Sequence, residues 1–179
     1  MRLASSPVPQ QRPRVSTEFE TQMEEVADRA MAEVTSGMRL GLGTGRAAEA
    51  FIRKLGERAR GGLAVVGVPT SERSAGLARE LGVPLSSLED LSELDLAFDG
   101  ADEVTADLAL TKGRGGAMLR ERVVASCAKR FIVLVTEDKL VARLGEKCPL
   151  PVEIVPFALA PVRRSLQAFG DAVLRLNAE

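Results

Sequence analysis

The sequence predicts an α/β protein: an open, mostly parallel, Rossmann-like sheet flanked by helices, with the start of a small α+β lobe at its end. Three observations carry that prediction. Apolar runs of strand length alternate with segments of helical period, a glycine turn links the first strand to the next helix, and a second strand–helix series follows the first. Such alternation is the pattern of parallel sheets covered by crossover helices.

The elements follow in order. Residues 1–16 are rich in proline, serine and arginine without a long apolar run, and are read as a disordered tail rather than a signal or membrane segment. Thr17 and Glu20 form a capping box for a helix on which Phe19, Met23, Val26, Ala27, Ala30 and Val34 recur at helical spacing up to Gly37. MRLGL, residues 38–42, reads as a strand, Gly43 to Gly45 as a turn, and Ala47 to Arg58 as a helix burying Phe51, Ile52 and Leu55. LAVVGV, 63–68, repeats the strand and Ser71 to Leu81 the helix, and LDLAF, 94–98, is a buried strand that delivers Asp99 at its carboxyl end. Beyond a glycine cluster, Gly116 to Lys129 reads as a helix, FIVLV (131–135) as a strand and Asp138 to Leu144 as a helix. VEIV (152–155) then reads as a strand, Ala160 to Phe169 as a helix with Val162, Leu166 and Phe169 on one face, and AVLRL (172–176) as a strand. This divides the chain into a tail (1–16), an α/β catalytic domain (17–150) and the beginning of an incomplete lobe (151–179).

Composition narrows function. Of 179 residues, 24 are basic and 25 acidic, giving a net charge of −1, so no general nucleic-acid or membrane surface is expected. Neither Trp nor Tyr occurs, which removes the usual stacking platforms for single-stranded nucleic acid. Histidine is absent, so Ser/His/Asp and Cys/His catalysis and imidazole metal sites are excluded, and proton transfer falls to carboxylates and lysines. The two cysteines, Cys127 and Cys148, form neither a disulfide framework nor a zinc pattern, which points to a reducing, cytoplasmic compartment.

Four stretches carry candidate chemistry. GLGTGR, residues 41–46, opens a helix with a glycine turn suited to an anion, but lacks the third glycine and distal acid of a dinucleotide fingerprint and the GK[ST] of a Walker loop. Thr70 and Ser71 follow a strand, where capping the next helix is the simpler role. KGRGG, residues 112–116, can form a backbone nest with added positive charge. Asp99, Asp102 and Lys112 are expected to share one crevice at the sheet edge, with Glu121 a turn into the following helix, where partial burial would suit it to act as a general base.

In their order and intervals, DGADEV, KGRGGAMLRE, GLGTG, VPTS and PLPVEIVPFA resemble the type A ribose-5-phosphate isomerases, over roughly Met23 to Leu176. The resemblance implies interconversion of ribose 5-phosphate and ribulose 5-phosphate without metal or organic cofactor. It makes Glu121 the base that moves a proton between C1 and C2, Asp99 and Asp102 the groups that assist ring opening and hold hydroxyls, and Lys112 the cation beside the enediolate. It assigns the sugar phosphate to the turn formed by Gly43, Thr44, Gly45, Arg46 and Ala47, to the backbone of Gly113, Arg114, Gly115 and Gly116, and to Lys139. A homodimer or homotetramer is implied as well.

The chain departs from the family pattern in three places. Arg46 and Ala47 replace a Ser-Thr pair, so a forked guanidinium contact would stand in for two hydroxyls. Met23, Glu24 and Glu25 occupy the region where a phosphate-binding lysine is often found. The small lobe stops short, which predicts exposed apolar edges and self-association, and gives as the alternative function a non-catalytic phosphosugar-binding module or an inactive truncated member of the same fold.

Overall fold

A computed structural model describes residues 17–175, apart from the side chain of Thr17. The tail 1–16, the capping role of Thr17, and Leu176 lie outside the described residues. The chain runs α1 (Thr17–Met31), β1 (Arg39–Leu42), α2 (Arg46–Arg60), β2 (Val66–Pro69), α3 (Glu72–Glu80) and β3 (Leu94–Gly100). It continues with β4 (Glu103–Val104), β5 (Leu110–Thr111), α4 (Met118–Ser126), β6 (Ala128–Leu134) and α5 (Leu159–Leu166). β2, β1, β3 and β6 form a parallel sheet in that order, and β4 and β5 form a separate antiparallel pair.

Strand periodicity decides which side chain meets which layer. Leu40 and Leu42 of β1 and Leu96 and Phe98 of β3 point to one face, where they pack with Phe51, Ile52 and Leu55 of α2 and with Met23, Ala27 and Ala30 of α1. Phe51 stacks on Phe98 with ring centroids 4.1 Å apart. The intervening residues of β3, Ala97 and Asp99, point to the opposite face, where Val124 of α4 packs with Ala97. Small residues make that approach possible: a Cβ on Gly41 would lie 2.6 Å from Val124 Cγ1 and 2.7 Å from Ala97 Cβ.

The strand order reverses between β1 and β3, because the chain runs outward from β1 to β2 and then returns to the other side of β1. Open α/β sheets take ligands in the crevice beyond the carboxyl ends of such a pair. Here the β1–α2 turn and Asp99 border that crevice, as the alternation in the sequence predicts.

Several local expectations are corrected. The helix expected over Gly116 to Lys129 ends at Ser126, and β6 starts at Ala128, because AKR joins the sheet beside Leu94 and Leu96. No helix forms over Asp138 to Leu144: a 3-10 turn covers Glu137–Lys139, after which Leu140 bridges to Val104 and the Val141 N–H donates to the Val104 carbonyl. Pairing with β4 outcompetes a seven-residue helix, which is too short to repay its nucleation. LAVVGV enters the sheet at Val66. VEIV and residues 172–175 form no strand, having no ladder partner among the described residues, and Phe169 lies beyond α5, exposed.

Candidate active site

Three charged side chains meet at the carboxyl end of β3. Lys112, just after β5, places Nζ 3.0 Å from Asp99 Oδ2 and 3.2 Å from Glu121 Oε1. It also donates to the Gly100 carbonyl at 2.5 Å. Asp99 reaches this position from the α4 face of β3, and Glu121 reaches it from the first turn of α4. Glu121 sits three residues before Val124, so the contact that packs α4 on the sheet also turns Glu121 inward.

Each group is held by its neighbours. Asp99 Oδ1 accepts from the N–H groups of Thr44 at 3.1 Å and Gly100 at 2.7 Å. Gly43 lets the carboxylate come so close to β1, since a Cβ there would lie 2.4 Å from Asp99 Cγ. Asp99 is 2% exposed and Glu121 6%. Burial, then the nearby negative charge of Asp99, pushes the Glu121 carboxyl up to about 7, while Lys112 pulls it back. Glu121 Oε2 is buried and has no hydrogen-bond partner among the described residues.

Asp102 immediately precedes β4, and its Oδ2 accepts from the Arg114 N–H at 2.9 Å. That bond fastens the Gly113 to Gly116 loop over the crevice. Gly113 and Gly116 adopt φ of +109° and +82°, which a side chain resists, and at Gly113 a Cβ would also strike Met118. A Cβ on Gly115 would lie 3.8 Å from Thr44 Cγ2, so the two glycine loops expected from sequence lie near each other.

The β1–α2 turn is a hydroxyl junction. Thr44 Oγ1 shares hydrogen bonds with Thr70 Oγ1 at 2.7 Å and Ser71 Oγ at 2.9 Å, and Ser74 Oγ donates to the Gly43 carbonyl. Ser71 caps α3 by accepting from the Ser74 N–H. Gly45, at φ +99°, starts α2 with no side-chain cap, and Ala47 is buried in the first turn. The Arg46 guanidinium sits 4.5 Å above the Phe19 ring centroid, on the side of α2 that faces α1. Lys139 lies in the 3-10 turn just past β6, with Nζ 3.4 Å from Asp138 Oδ2. Asp99, Lys112 and Glu121 are thus in direct contact, Asp102 and the two loops border them, and Lys139 stands at the same edge of the sheet.

Among the buried polar groups that escaped the sequence reading are Ser74 and Glu103. Ser74 could have been found from its spacing of three after the capping Ser71. Glu103, fully buried beside Asp102, gave no separate signal inside the acidic run DGADE.

A lysine between two buried carboxylates, at the switch point of a parallel sheet, defines an acid–base site on a Rossmann-like fold. The model of the family "Ribose 5-phosphate isomerase A (phosphoriboisomerase A)" matches residues 66–179. The chain belongs to that family. It is 54% identical over 149 residues to ribose-5-phosphate isomerase A of Nitrobacter hamburgensis, covering 83% of this chain and 64% of that protein. To the enzyme of the same name from Parvibaculum lavamentivorans it is 50% identical, covering 84% of this chain and 65% of that one. Among solved structures, ribose 5-phosphate isomerase A from Methanocaldococcus jannaschii superposes with a TM-score of 0.85 at 46% identity, over 89% of this chain and 72% of that one. A D-ribose-5-phosphate isomerase in complex with phospho-erythronic acid gives a TM-score of 0.85 at 40% identity, over 89% and 71%. The chain therefore spans a little under two thirds of the length of the first two relatives.

Proposed function

We propose that the chain interconverts D-ribose 5-phosphate and D-ribulose 5-phosphate through an enediolate. The observation that supports this most directly is the contact of Asp99, Lys112 and Glu121, with Glu121 shifted to about 7. A base for a proton beside a carbonyl works best when its pKa lies near the working pH.

In the aldose-to-ketose direction, Asp99 and Asp102 help open the furanose. Glu121 then removes the proton from C2 and, once its carboxyl has exchanged with solvent, delivers a proton to C1, while the hydroxyl proton on O2 passes to O1. The electron pair shifts from the C2–H bond into the C1–C2 double bond, and negative charge develops on oxygen. Lys112, fixed before the reaction, stabilises that charge without reorganising. The phosphate is held by the turn from Gly43 to Ala47, by the 113–116 backbone and by Lys139. For this reading Arg46 serves through its backbone at the start of α2, since its guanidinium is seated over Phe19. Phospho-erythronic acid, the ligand of the solved relative, carries the features such a site would take: a phosphate and a planar carboxylate in place of the enediolate. No metal or organic cofactor enters the scheme. No helix among the described residues is long and apolar enough to cross a membrane. With both cysteines free, a cytoplasmic setting is part of the same proposal.

The test is proton NMR of the purified chain with ribose 5-phosphate in heavy water. Ribulose 5-phosphate should appear with deuterium incorporated, and Glu121→Gln should slow both events about a thousandfold. Broadened sugar lines without conversion would instead mark a binding module. No change at all would sink both readings.

A further inference from the structure

Glu103 is a fully buried carboxylate that the proposed reaction does not use. Burying a carboxylate is costly unless hydrogen bonds replace its water, and here three backbone donors do so. Oε2 accepts from the Gly145 N–H at 2.6 Å, and Oε1 from Lys147 at 2.5 Å and Cys148 at 3.0 Å. These donors belong to an otherwise irregular and mostly exposed loop, and they hold the Glu103 carboxyl below its usual range. The grip continues outward. Lys147 Nζ donates to the carbonyls of Asp138 at 2.7 Å and Leu140 at 2.9 Å, the residues on either side of Lys139. From the other side, Val104 accepts from the Val141 N–H, so the two residues of β4 hold both ends of the same segment.

We propose that Glu103 and Lys147 are positioning residues: together they fix the turn that carries Lys139, and thereby set the affinity of the site for the substrate's phosphate. The inference rests on the proposed contact between Lys139 and phosphate. Neither residue touches the reacting carbons, so the effect should fall on binding and spare the chemical step. A chain of two backbone-directed anchors gives Lys139 a defined place at the end of a single 3-10 turn. That explains why a two-residue strand carries a buried charge where an apolar side chain would fill the space.

The experiment measures the dissociation constant of ribose 5-phosphate by calorimetry, together with kcat, for the full chain and for Lys139→Ala, Lys147→Met, Glu103→Gln and the double variant of Lys139→Ala with Lys147→Met. Lys147 is exposed, so its variant keeps the test open if Glu103→Gln fails to fold. Lys147→Met and Glu103→Gln should each weaken binding about tenfold, the size of one charge-assisted hydrogen bond, with kcat within about threefold of the parent. The double variant should bind no more weakly than Lys139→Ala alone, because anchoring an absent side chain has no effect. Additive losses in the double variant, unchanged affinity in Lys147→Met, or a fall in kcat at constant affinity would each overturn the proposal. Lys139→Ala separates the two layers of argument. Normal binding by that variant removes the phosphate contact of Lys139 and this inference with it, whereas weakened binding combined with additive losses removes the inference alone. A parent chain that does not bind the sugar overturns both.

Discussion

Glu121 ionises against its surroundings, and that opposition has two measurable sides. Its folded pKa of about 7 lies above the ordinary 4.5, so the unfolded chain gives up this proton first. Between those values the folded state holds more protons, and stability falls as pH rises through the window. Glu121→Gln should therefore be more stable than the parent at pH 8 by about 1–3 kcal/mol in urea unfolding, with the gap closing toward pH 5. The base must be ionised to act, so kcat/KM should climb with pH around a midpoint near 7 and then level off. A flat profile from pH 5 to 9 would remove Glu121 from that role. These residues were legible in sequence because strand ends and helix starts of a parallel sheet converge: Asp99, Lys112 and Glu121 each occupy such a position. Arg46 was not, since the aromatic ring that takes its guanidinium lies 27 positions away on another helix. Glu103 was hidden among neighbouring acids, and its own burial depends on a loop more than 40 residues on.

Asp95 shows how single strands become a sheet in fixed register. It faces the α4 side at the amino end of β3 and takes the Arg39 N–H at 2.8 Å, the Arg39 guanidinium at 3.3 Å and Lys129 at 3.3 Å, joining β1, β3 and β6. The Arg39 N–H, and then its guanidinium, lower the carboxyl from 3.8 to about 2. A depressed acid contributes stability above its unfolded pKa and loses it as pH falls through the folded value. Asp95→Asn should cost about 1 kcal/mol at neutral pH, discounted for solvent screening, and the difference should vanish between pH 4 and pH 2. An equal loss at pH 2 would show that the contact acts through shape rather than charge. At this scale the sequence was most readable where a period runs for several turns, as in α1, α2 and α3. It was least readable in short apolar runs. VEIV has strand composition and no ladder partner among the described residues, and Asp138 to Leu144 has helical composition but gives its backbone to β4.

Across the whole molecule, apolar burial is uneven. The parallel sheet and its helices enclose a continuous core, whereas no residue of α5 is buried, and Phe157, Phe169 and Val173 are 100%, 89% and 87% exposed. Surfaces of that kind associate. We expect light scattering to find a mass above that of the monomer, and the double substitution Phe157→Asp with Phe169→Asp to reduce it. A monodisperse monomer of the parent chain would contradict this. The class of fold was legible from alternation alone, but the fate of residues 151–175 was not, because their composition sets what they bury and says nothing of where.

The strand order has one more effect, on the route by which the site comes into being. β3 lies between β1, made earlier, and β6, made later, so a chain still emerging from the ribosome can pair β1 with β2 but cannot enclose β3 on both sides until residue 134 is free. Until then one edge of β3 is open. Contacts between segments far apart in sequence form slowly and leave apolar strands uncovered while they do. A nascent chain that ends near residue 110 therefore lacks β6 and carries a half-built sheet.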